Sequence, residues 1–441
     1  MNYDLFCNFA AEMKKNLYLL LIFAFSVSTF AQSDILPQDS VFPLAQSDSI
    51  SQDSVDDGLP LELTTEEVPL GVQLDSLLHA PMFETSQVGL MVYDLTADSV
   101  LYTKNHRHLL RPASCMKLVT AIAALDRLGG DYQYKTRIYM TGDLRNGVLT
   151  GNIYCVGGFD PTLTADDVAV MAESVRNLGI DSISGSIVGD CTMKETLDYG
   201  EGWCWDDDNP MLIPLTIGRK NIFLPVFARE LKRLGVKTGG ITLEESGITP
   251  SNARLVSTYR HSIDVVLERM LKMSDNFYAE SMLYQMAAST GNQLAKASHA
   301  HNITKQLLKK IGLGNKTYKF ADGSGLSLYN YVSAELLVAL LRYAYHKDDI
   351  RDHLRPALPI AGIDGTLKDR MKKSAAYGNV RAKTGTLTGI SSLAGYCTSA
   401  DGHDLCFAII NQGIMRTQTG KNFQDRVCRI LCEKGGVRSD K

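Results

Sequence analysis

Strand-like runs open and close the patterned part of this 441-residue chain, and most of what lies between them reads as helix. From Val88, VGLMVYDLTADSVLY sets two apolar runs on either side of Thr96-Ala97-Asp98, the pattern of a β-hairpin. RAKTGTLTG, SSLAGYCTS and DLCFAIIN, all beyond residue 380, predict three more strands. Between these ends, CMKLVTAIAALDRL reads as a helix closed by Gly129-Gly130. Helical stretches also cover roughly 261–288, 297–311 and 333–346, with a last one around 420–434. A sheet assembled from both ends of a chain must bury its faces against the helices between, which predicts one mixed α/β domain. Residues 135–254 break the pattern with short β-like runs (TRIYM, GNIYCVG, GSIVGD), many glycines and one helix near 221–234. The expected organisation is a domain made of 70–134 and 255–441, interrupted by a smaller β-rich insertion at 135–254.

The front of the chain is different. Met13-Lys14-Lys15-Asn16, the run LYLLLIFAFSVS and Thr29-Phe30-Ala31 read as a secretory signal cut after Ala31, with Met13 an alternative start. The rival reading is a membrane anchor, but the run falls short of the roughly 20 apolar residues that a spanning helix needs. No Cys follows the cleavage point to carry a lipid, and no later run is long enough to span. The mature chain is therefore expected to be exported to the periplasm without a membrane span. Residues 32–69 are rich in Gln, Ser, Asp and Pro, hold an imperfect AQSD…QDSV repeat, and read as a disordered acidic linker.

Charge is divided in the same way. Residues 32–103 hold nine Asp, four Glu and no Lys or Arg, while residues 1–31 balance. The net −4 of the whole chain therefore conceals +9 on residues 104–441. A sequence pI near 6.2 argues against a dedicated nucleic-acid binder. A basic body instead suits anionic substrates.

Eight cysteines follow Ala31, and export permits disulfides without revealing their pairing. If Asp401-Gly402 is a two-residue hairpin turn, Cys397 and Cys406 face each other across it and can bond; two buried thiols are the alternative. No Cys-x-x-Cys occurs, and His299 and His301 point to different faces of a helix. No metal site and no cofactor is expected.

Three short boxes carry chemistry. Ser114-Cys115-Met116-Lys117 is the only Ser-x-x-Lys in the chain and opens a helix. Three residues apart on a helical face, the amine reaches the hydroxyl. A serine needs a neighbouring base to become a nucleophile, and a lysine serves if burial or another cation lowers its pKa. Ser274-Asp275-Asn276, the only Ser-x-Asn, interrupts a helical run where short polar side chains form either a local kink or a proton relay. Lys-Thr-Gly occurs twice. Lys237 follows a helix inside the insertion and reads as an exit turn. Lys383 sits in VRAKTGTLTGISSLAGY, where a Gly- and Thr-rich strand can receive a substrate backbone and its carboxylate.

Boxes of these three kinds, in this order, occur in class A β-lactamases and penicillin-binding proteins. Together with RPASCMKLVTAIAAL, VGGFDPTLT, GWCWDDD, MSDNFYAE, ADGSGLS and AGIDGTL, they make the chain resemble the exported D-alanyl-D-alanine carboxypeptidase/endopeptidases of the penicillin-binding protein 4 class. The resemblance runs from about residue 70 to 432 and implies a β-lactamase/transpeptidase-like domain, an antiparallel sheet flanked by helices. It implies Ser114 as acylated nucleophile, Lys117 as its base, Ser274 as proton relay and Asn276 as positioner. It also implies Lys383, Thr384, Gly385 and Thr386 as the cradle of a terminal carboxylate, and the N–H groups of Ser114 and Thr386 as oxyanion donors. Lys383 near Lys117 is a physical reason for a lowered Lys117 pKa.

Peptidoglycan stem peptides are the implied substrates and β-lactams the implied covalent inhibitors. The competing functions are a β-lactamase, for which the Glu-x-x-Leu-Asn loop of class A enzymes is missing, and a catalytically silent wall-binding protein on the same fold. Two departures stand out. Only 160 residues separate Ser114 from Ser274, so the further domain often nested in the family's insertion is expected to be absent or reduced to a loop. Cys115 stands where a polar residue is common and is expected to point off the catalytic face. Asp322-Gly323-Ser324-Gly325 reads as a tight loop bordering the cleft, structural rather than catalytic.

Overall fold

The computed structural model describes residues 68–433 apart from 205, 208, 239, 315 and 316. The export signal expected at 1–31 and the acidic linker up to residue 67 lie outside the described residues. In chain order the elements begin with α1 (Leu70–Leu77), β1 (Gln87–Asp94), β2 (Ser99–Lys104) and α2 (Met116–Leu128). There follow β3 (Gln133–Met140), β4 (Asp143–Arg145), β5 (Val148–Thr150), β6 (Ile153–Val156) and α3 (Ala165–Arg176). Next come β7 (Ser182–Ile183), β8 (Ile187–Asp190), α4 (Phe223–Arg233), β9 (Leu243–Glu244) and β10 (Arg254–Ser262). Helices α5 (Ile263–Lys272), α6 (Asn276–Ala288), α7 (Ala297–Lys310), α8 (Ala334–Tyr345) and α9 (Asp348–Ala357) lead to β11 (Arg381–Leu387), β12 (Ile390–Thr398), β13 (Asp404–Gln412) and α10 (Thr417–Glu433).

The first sheet runs β11-β12-β13-β1-β2 with every neighbour antiparallel. Its centre joins the two ends of the patterned sequence, β1 lying on β13 from Gln87↔Gln412 to Asp94↔Leu405. Side chains alternate between the faces. Leu90, Val92, Leu393, Phe407 and Ile409 meet Leu74 of α1 and Phe423 and Val427 of α10. Tyr93, Ala394, Tyr396, Cys406 and Ala408 turn the other way, onto α2, α5, α6 and α8. A side chain fully buried in either layer stabilises by about 1.5–3 kcal/mol. The result is the expected mixed α/β architecture, an antiparallel sheet between two helical layers.

Helix α2 runs through the middle of the larger layer, with every residue from Met116 to Leu125 buried. An all-buried helix of this kind makes a rigid mount for whatever stands at its start. Gly129, at φ +84°, closes it. Residues 133–262 supply the other two sheets, β10-β3-β6-β8-β9 and β4-β5-β7, with α3 and α4 packed on their own apolar core.

Three details differ from expectation. Residues 135–254 hold two helices, not one, because Thr164 and Asp167 form a capping box that starts α3. Helix α9 was also unexpected; its charged sequence buries only Ile350, Leu354 and Ala357. The β12–β13 hairpin pairs Thr398 with Asp404, leaving Ser399–His403 as a five-residue loop. That shifts the register by one residue: Cys397 faces Leu405 and Cys406 faces Tyr396. A one-residue slip sends the two thiols to opposite faces of the sheet. Both are free and buried, so no Cys397–Cys406 bond forms.

Candidate active site

A 3-10 turn, Ala113–Cys115, delivers Ser114 to the start of α2. Ala113 holds a left-handed φ of +47°, a strained conformation that turns the chain sharply before the helix. Close approaches on two sides hold this turn. A Cβ on Gly325 would stand 1.9 Å from the Ala113 carbonyl oxygen, and one on Gly385 would stand 2.9 Å from the Ser114 nitrogen.

Lys117, one turn into α2, is buried completely. Its Nζ donates to Ser114 Oγ at 3.1 Å, to Asn276 Oδ1 at 2.7 Å and to the Ser324 carbonyl at 2.8 Å. Three acceptors occupy all three ammonium hydrogens. The box at 274–276 falls in the break between α5 and α6, where Ser274 has φ +61°. What reads in sequence as one helix near 261–288 is thus two, and the break aims two side chains inward. Asn276 reaches Lys117, and Ser274 Oγ accepts from Lys383 Nζ at 2.9 Å. Lys383, also fully buried, makes a second bond to the Thr384 carbonyl at 2.7 Å.

Strand β11 edges the sheet. Its first half is covered, Ala382 N donating to the Pro359 carbonyl and Ala361 N to the Val380 carbonyl. By the period-two alternation of a strand, the N–H groups of Thr384 and Thr386 face the same side as that of Ala382, past the end of the cover. Thr384 is half-buried, with Oγ1 donating to Thr366 Oγ1, and Thr386 is exposed. The eight site residues expected from sequence thus lie on three adjoining segments, the start of α2, the α5–α6 break and β11.

A model of the D-Ala-D-Ala carboxypeptidase 3 (S13) family matches residues 70–214 and 218–434. The chain belongs to this family. Among curated relatives, D-alanyl-D-alanine carboxypeptidase DacB of Haemophilus influenzae is 25% identical over 409 residues, covering 74% of this chain and 85% of the relative. The D-alanyl-D-alanine carboxypeptidase of an Actinomadura species is 26% identical over 435 residues, covering 77% and 80%. The crystal structure of penicillin binding protein 4 from Haemophilus influenzae superposes with a TM-score of 0.74 at 23% identity, over 80% of this chain and 97% of that one. A predatory peptidoglycan endopeptidase from Bdellovibrio bacteriovorus shares the fold at TM-score 0.52 and 16% identity.

In this S13 protein the electrostatics of the cleft come chiefly from burial. Burial pushes Lys117 down to about 8 against the opposing pull of Asp322, Glu280 and Asp275. Burial, with repulsion from Lys117 added to it, takes Lys383 down to about 7. The sequence leads one to expect Lys383 to lower Lys117, but burial is the largest cause at both lysines and the repulsion shows on Lys383 instead.

Some of the surroundings escaped sequence reasoning. Asn276 Nδ2 donates to Asn209 Oδ1 at 3.2 Å, which fixes the amide so that Oδ1 faces Lys117. Asn209 directly follows GWCWDDD, the nearest signal available. Asp275 carries Arg219 and Arg269 on one oxygen, tying the break to the segment before α4. Asp322 accepts from Trp203 Nε1, Ser324 Oγ, Gly325 N, Ser327 N and Asn330 Nδ2. That agrees with a structural loop, yet its Ser324 carbonyl is one of the three Lys117 acceptors. Cys115 is buried, its Sγ donating to the Lys383 carbonyl at 3.2 Å, away from the Ser114 hydroxyl. His299 accepts from Lys296 N, whereas burial holds His301 neutral, near 4. Among the described residues no group of three His, Cys, Asp or Glu could hold a metal ion.

Proposed function

We propose that this chain is a serine-type D-Ala-D-Ala carboxypeptidase that hydrolyses peptidoglycan stem peptides through an acyl-enzyme on Ser114. The Lys117 contacts carry the reading. A neutral Lys117 keeps two N–H donors, which the shorter bonds to Asn276 Oδ1 and the Ser324 carbonyl occupy. Its lone pair then falls on the Ser114 hydroxyl. Ser114 Oγ attacks the carbonyl of the penultimate D-Ala and gives its proton to Lys117. The oxyanion forms against the N–H groups of Ser114 and Thr386. As the peptide C–N bond breaks, the leaving D-Ala amine takes a proton by way of Ser274. Water then attacks the ester, returns Ser114 and releases the shortened peptide. Lys383, Thr384, Gly385 and Thr386 line the cleft beside Ser114 and receive the terminal carboxylate, with Thr386 N–H shared between roles.

The same serine would be acylated by β-lactams; a β-lactam complex of penicillin binding protein 4 from Haemophilus influenzae and a penicillin G acylated Bdellovibrio endopeptidase are known structures on this fold. Labelled penicillin should modify Ser114 alone, and a peptide ending in D-Ala-D-Ala should release one D-Ala. A stable adduct elsewhere, or no adduct, would sink the mechanism. Cross-linked muropeptides test the endopeptidase reading in the same assay.

The remaining readings rest on sequence pattern. Residues 1–31 act as an export signal that delivers the enzyme to the periplasm, and 135–254 are a module inserted into a catalytic domain of 70–134 and 255–441. No helix among the described residues is long and apolar enough to cross a membrane. Sequencing the N-terminus of the exported protein, expected to begin at Gln32, tests the first.

A further inference from the structure

Glu280 is a fully buried carboxylate that the mechanism leaves unused while standing next to it. It lies on α6, one turn beyond Asn276, and is 1% exposed. Its Oε1 accepts from Gly323 N at 3.0 Å and Ser324 N at 2.8 Å, and Oε2 accepts from Gly323 N at 3.1 Å. The Gly323–Ser324 peptide unit, whose N–H Glu280 holds, turns its carbonyl to the catalytic helix, and the next unit, whose Gly325 N–H is held by Asp322, carries the Ser324 carbonyl. Ser324 O accepts from Lys117 Nζ and Gly323 O from Thr120 Oγ1 at 2.7 Å. The loop has little freedom on its other side, since a Cβ on Gly323 would stand 3.0 Å from the Ala279 carbonyl oxygen.

We propose that Glu280 is a positioning residue for acylation: by holding the N–H groups of Gly323 and Ser324 it places the backbone from which the Ser324 carbonyl reaches Lys117, and its carboxylate is a counter-charge to the Lys117 ammonium. The assignment rests on the reading of Lys117 as the base for Ser114. The titratable groups around Lys117 are Asp322, Glu280, Asp275 and the thiol of Cys115, with Lys383 on the facing strand. Around Glu280 stand Asp322 and Lys117, with Tyr284 on its own helix. Burial raises Glu280 to about 8, Asp322 adds to the rise, and the Gly323 N–H, the Ser324 side chain and the Lys117 charge oppose it. Glu280 and Lys117 therefore titrate in one range. A proton shared between them leaves either an ion pair or two neutral groups, and only the neutral pair has a base free for Ser114. On its far side Glu280 helps line a cavity of about 480 Å3 with Tyr284, Glu195, Lys296 and His301. That cavity gives Glu280 a route to water apart from the substrate cleft.

The test is the pH profile of Ser114 acylation by a labelled penicillin, measured on full-length wild type, Glu280→Gln and Glu280→Ala. Glu280→Gln keeps the shape and an acceptor for both N–H groups but removes the charge. Its acidic limb should move to lower pH by about half a unit or more, with Ser114 still fully acylated. Glu280→Ala frees the loop and should slow acylation about tenfold or more at every pH. An unmoved limb in Glu280→Gln would overturn the assignment, whether or not Glu280→Ala folds, since a merely structural carboxyl predicts no shift. Wild type that forms no Ser114 adduct would instead overturn the Ser114 mechanism itself, and this proposal with it.

Discussion

Lys237 and Lys383 begin the same tripeptide, Lys-Thr-Gly, in two regions of the chain. Lys237 follows α4 among residues 133–262, its side chain exposed and its backbone engaged, N donating to the Asp181 carbonyl and O accepting from Ile183 N. Lys383 lies on the edge strand of the other sheet, its side chain buried on Ser274 and its neighbours' N–H groups facing an uncovered edge. Chemistry needs two things that only the second copy has. One is an ammonium stripped of water, which lowers its pKa and strengthens any bond it makes to an anion. The other is a backbone whose donors are still available.

Exchanging each lysine for alanine sharpens this contrast most. Lys383→Ala should lower kcat/KM on a D-Ala-D-Ala peptide by about 100-fold or more, the loss expected for a buried charged contact to substrate. Lys237→Ala should stay within about twofold, as exposed substitutions do. A matching loss in both would break the comparison.

Gly385→Ala comes next. The added methyl would meet Ser392 Oγ at 2.2 Å and the Pro112 carbonyl oxygen at 2.7 Å, as well as the Ser114 amide. Overpacking of this kind costs about 1–3 kcal/mol, readable as a lower midpoint in denaturant, and should slow acylation by displacing Ser114. Retention of both wild-type stability and wild-type acylation would show that the strand and the catalytic turn are not in contact.

The smallest effect is a change of shape in the pH profile. The working form needs Lys117 neutral and Lys383 charged. Raising pH through about 8 favours the first and raising it through about 7 removes the second. Because the base titrates above the carboxylate binder, the working form is a minority at every pH, and kcat/KM should trace a narrow bell between those values. In Lys383→Ala the bell should give way to a single rise with pH through about 8, the value of Lys117 alone. An alkaline limb that survives would move the assignment to another group.

What the sequence reveals of all this divides along a physical line. Ser114, Lys117, Ser274, Asn276 and Lys383 are legible because each is a side-chain function at a short, recognisable spacing, and the fold sets them within hydrogen-bond reach. The hairpin at 88–102 and the three last strands are legible because alternation is a local property. The Ser324 carbonyl is not legible, since every residue has one and only tertiary packing says which faces Lys117. Glu280 sits inside MSDNFYAE, but nothing local tells that its partners are backbone groups 43 and 44 residues away. The β12–β13 register fails for a related reason. A five-residue loop and a two-residue turn both suit Ser399-Ala400-Asp401-Gly402-His403, and one residue of difference reassigns every side chain of the hairpin. Helix α9 escapes because its stability comes from packing of a few residues rather than from a continuous apolar face.

The partial cover on β11 has one more consequence. A peptide adding itself as a sixth strand is blocked where residues 359–361 already pair with Val380 and Ala382, so it can engage only the short stretch around Thr384 and Thr386. So few rungs hold a peptide weakly, and the main chain alone cannot distinguish one length of peptide from another. Selection then falls to the group that terminates the incoming strand, and a charged carboxylate supplies what the missing rungs do not. On the proposed function, the sheet edge would act as a gauge for chain ends, admitting the last residues of a peptide and leaving the middle of one without a place to lie.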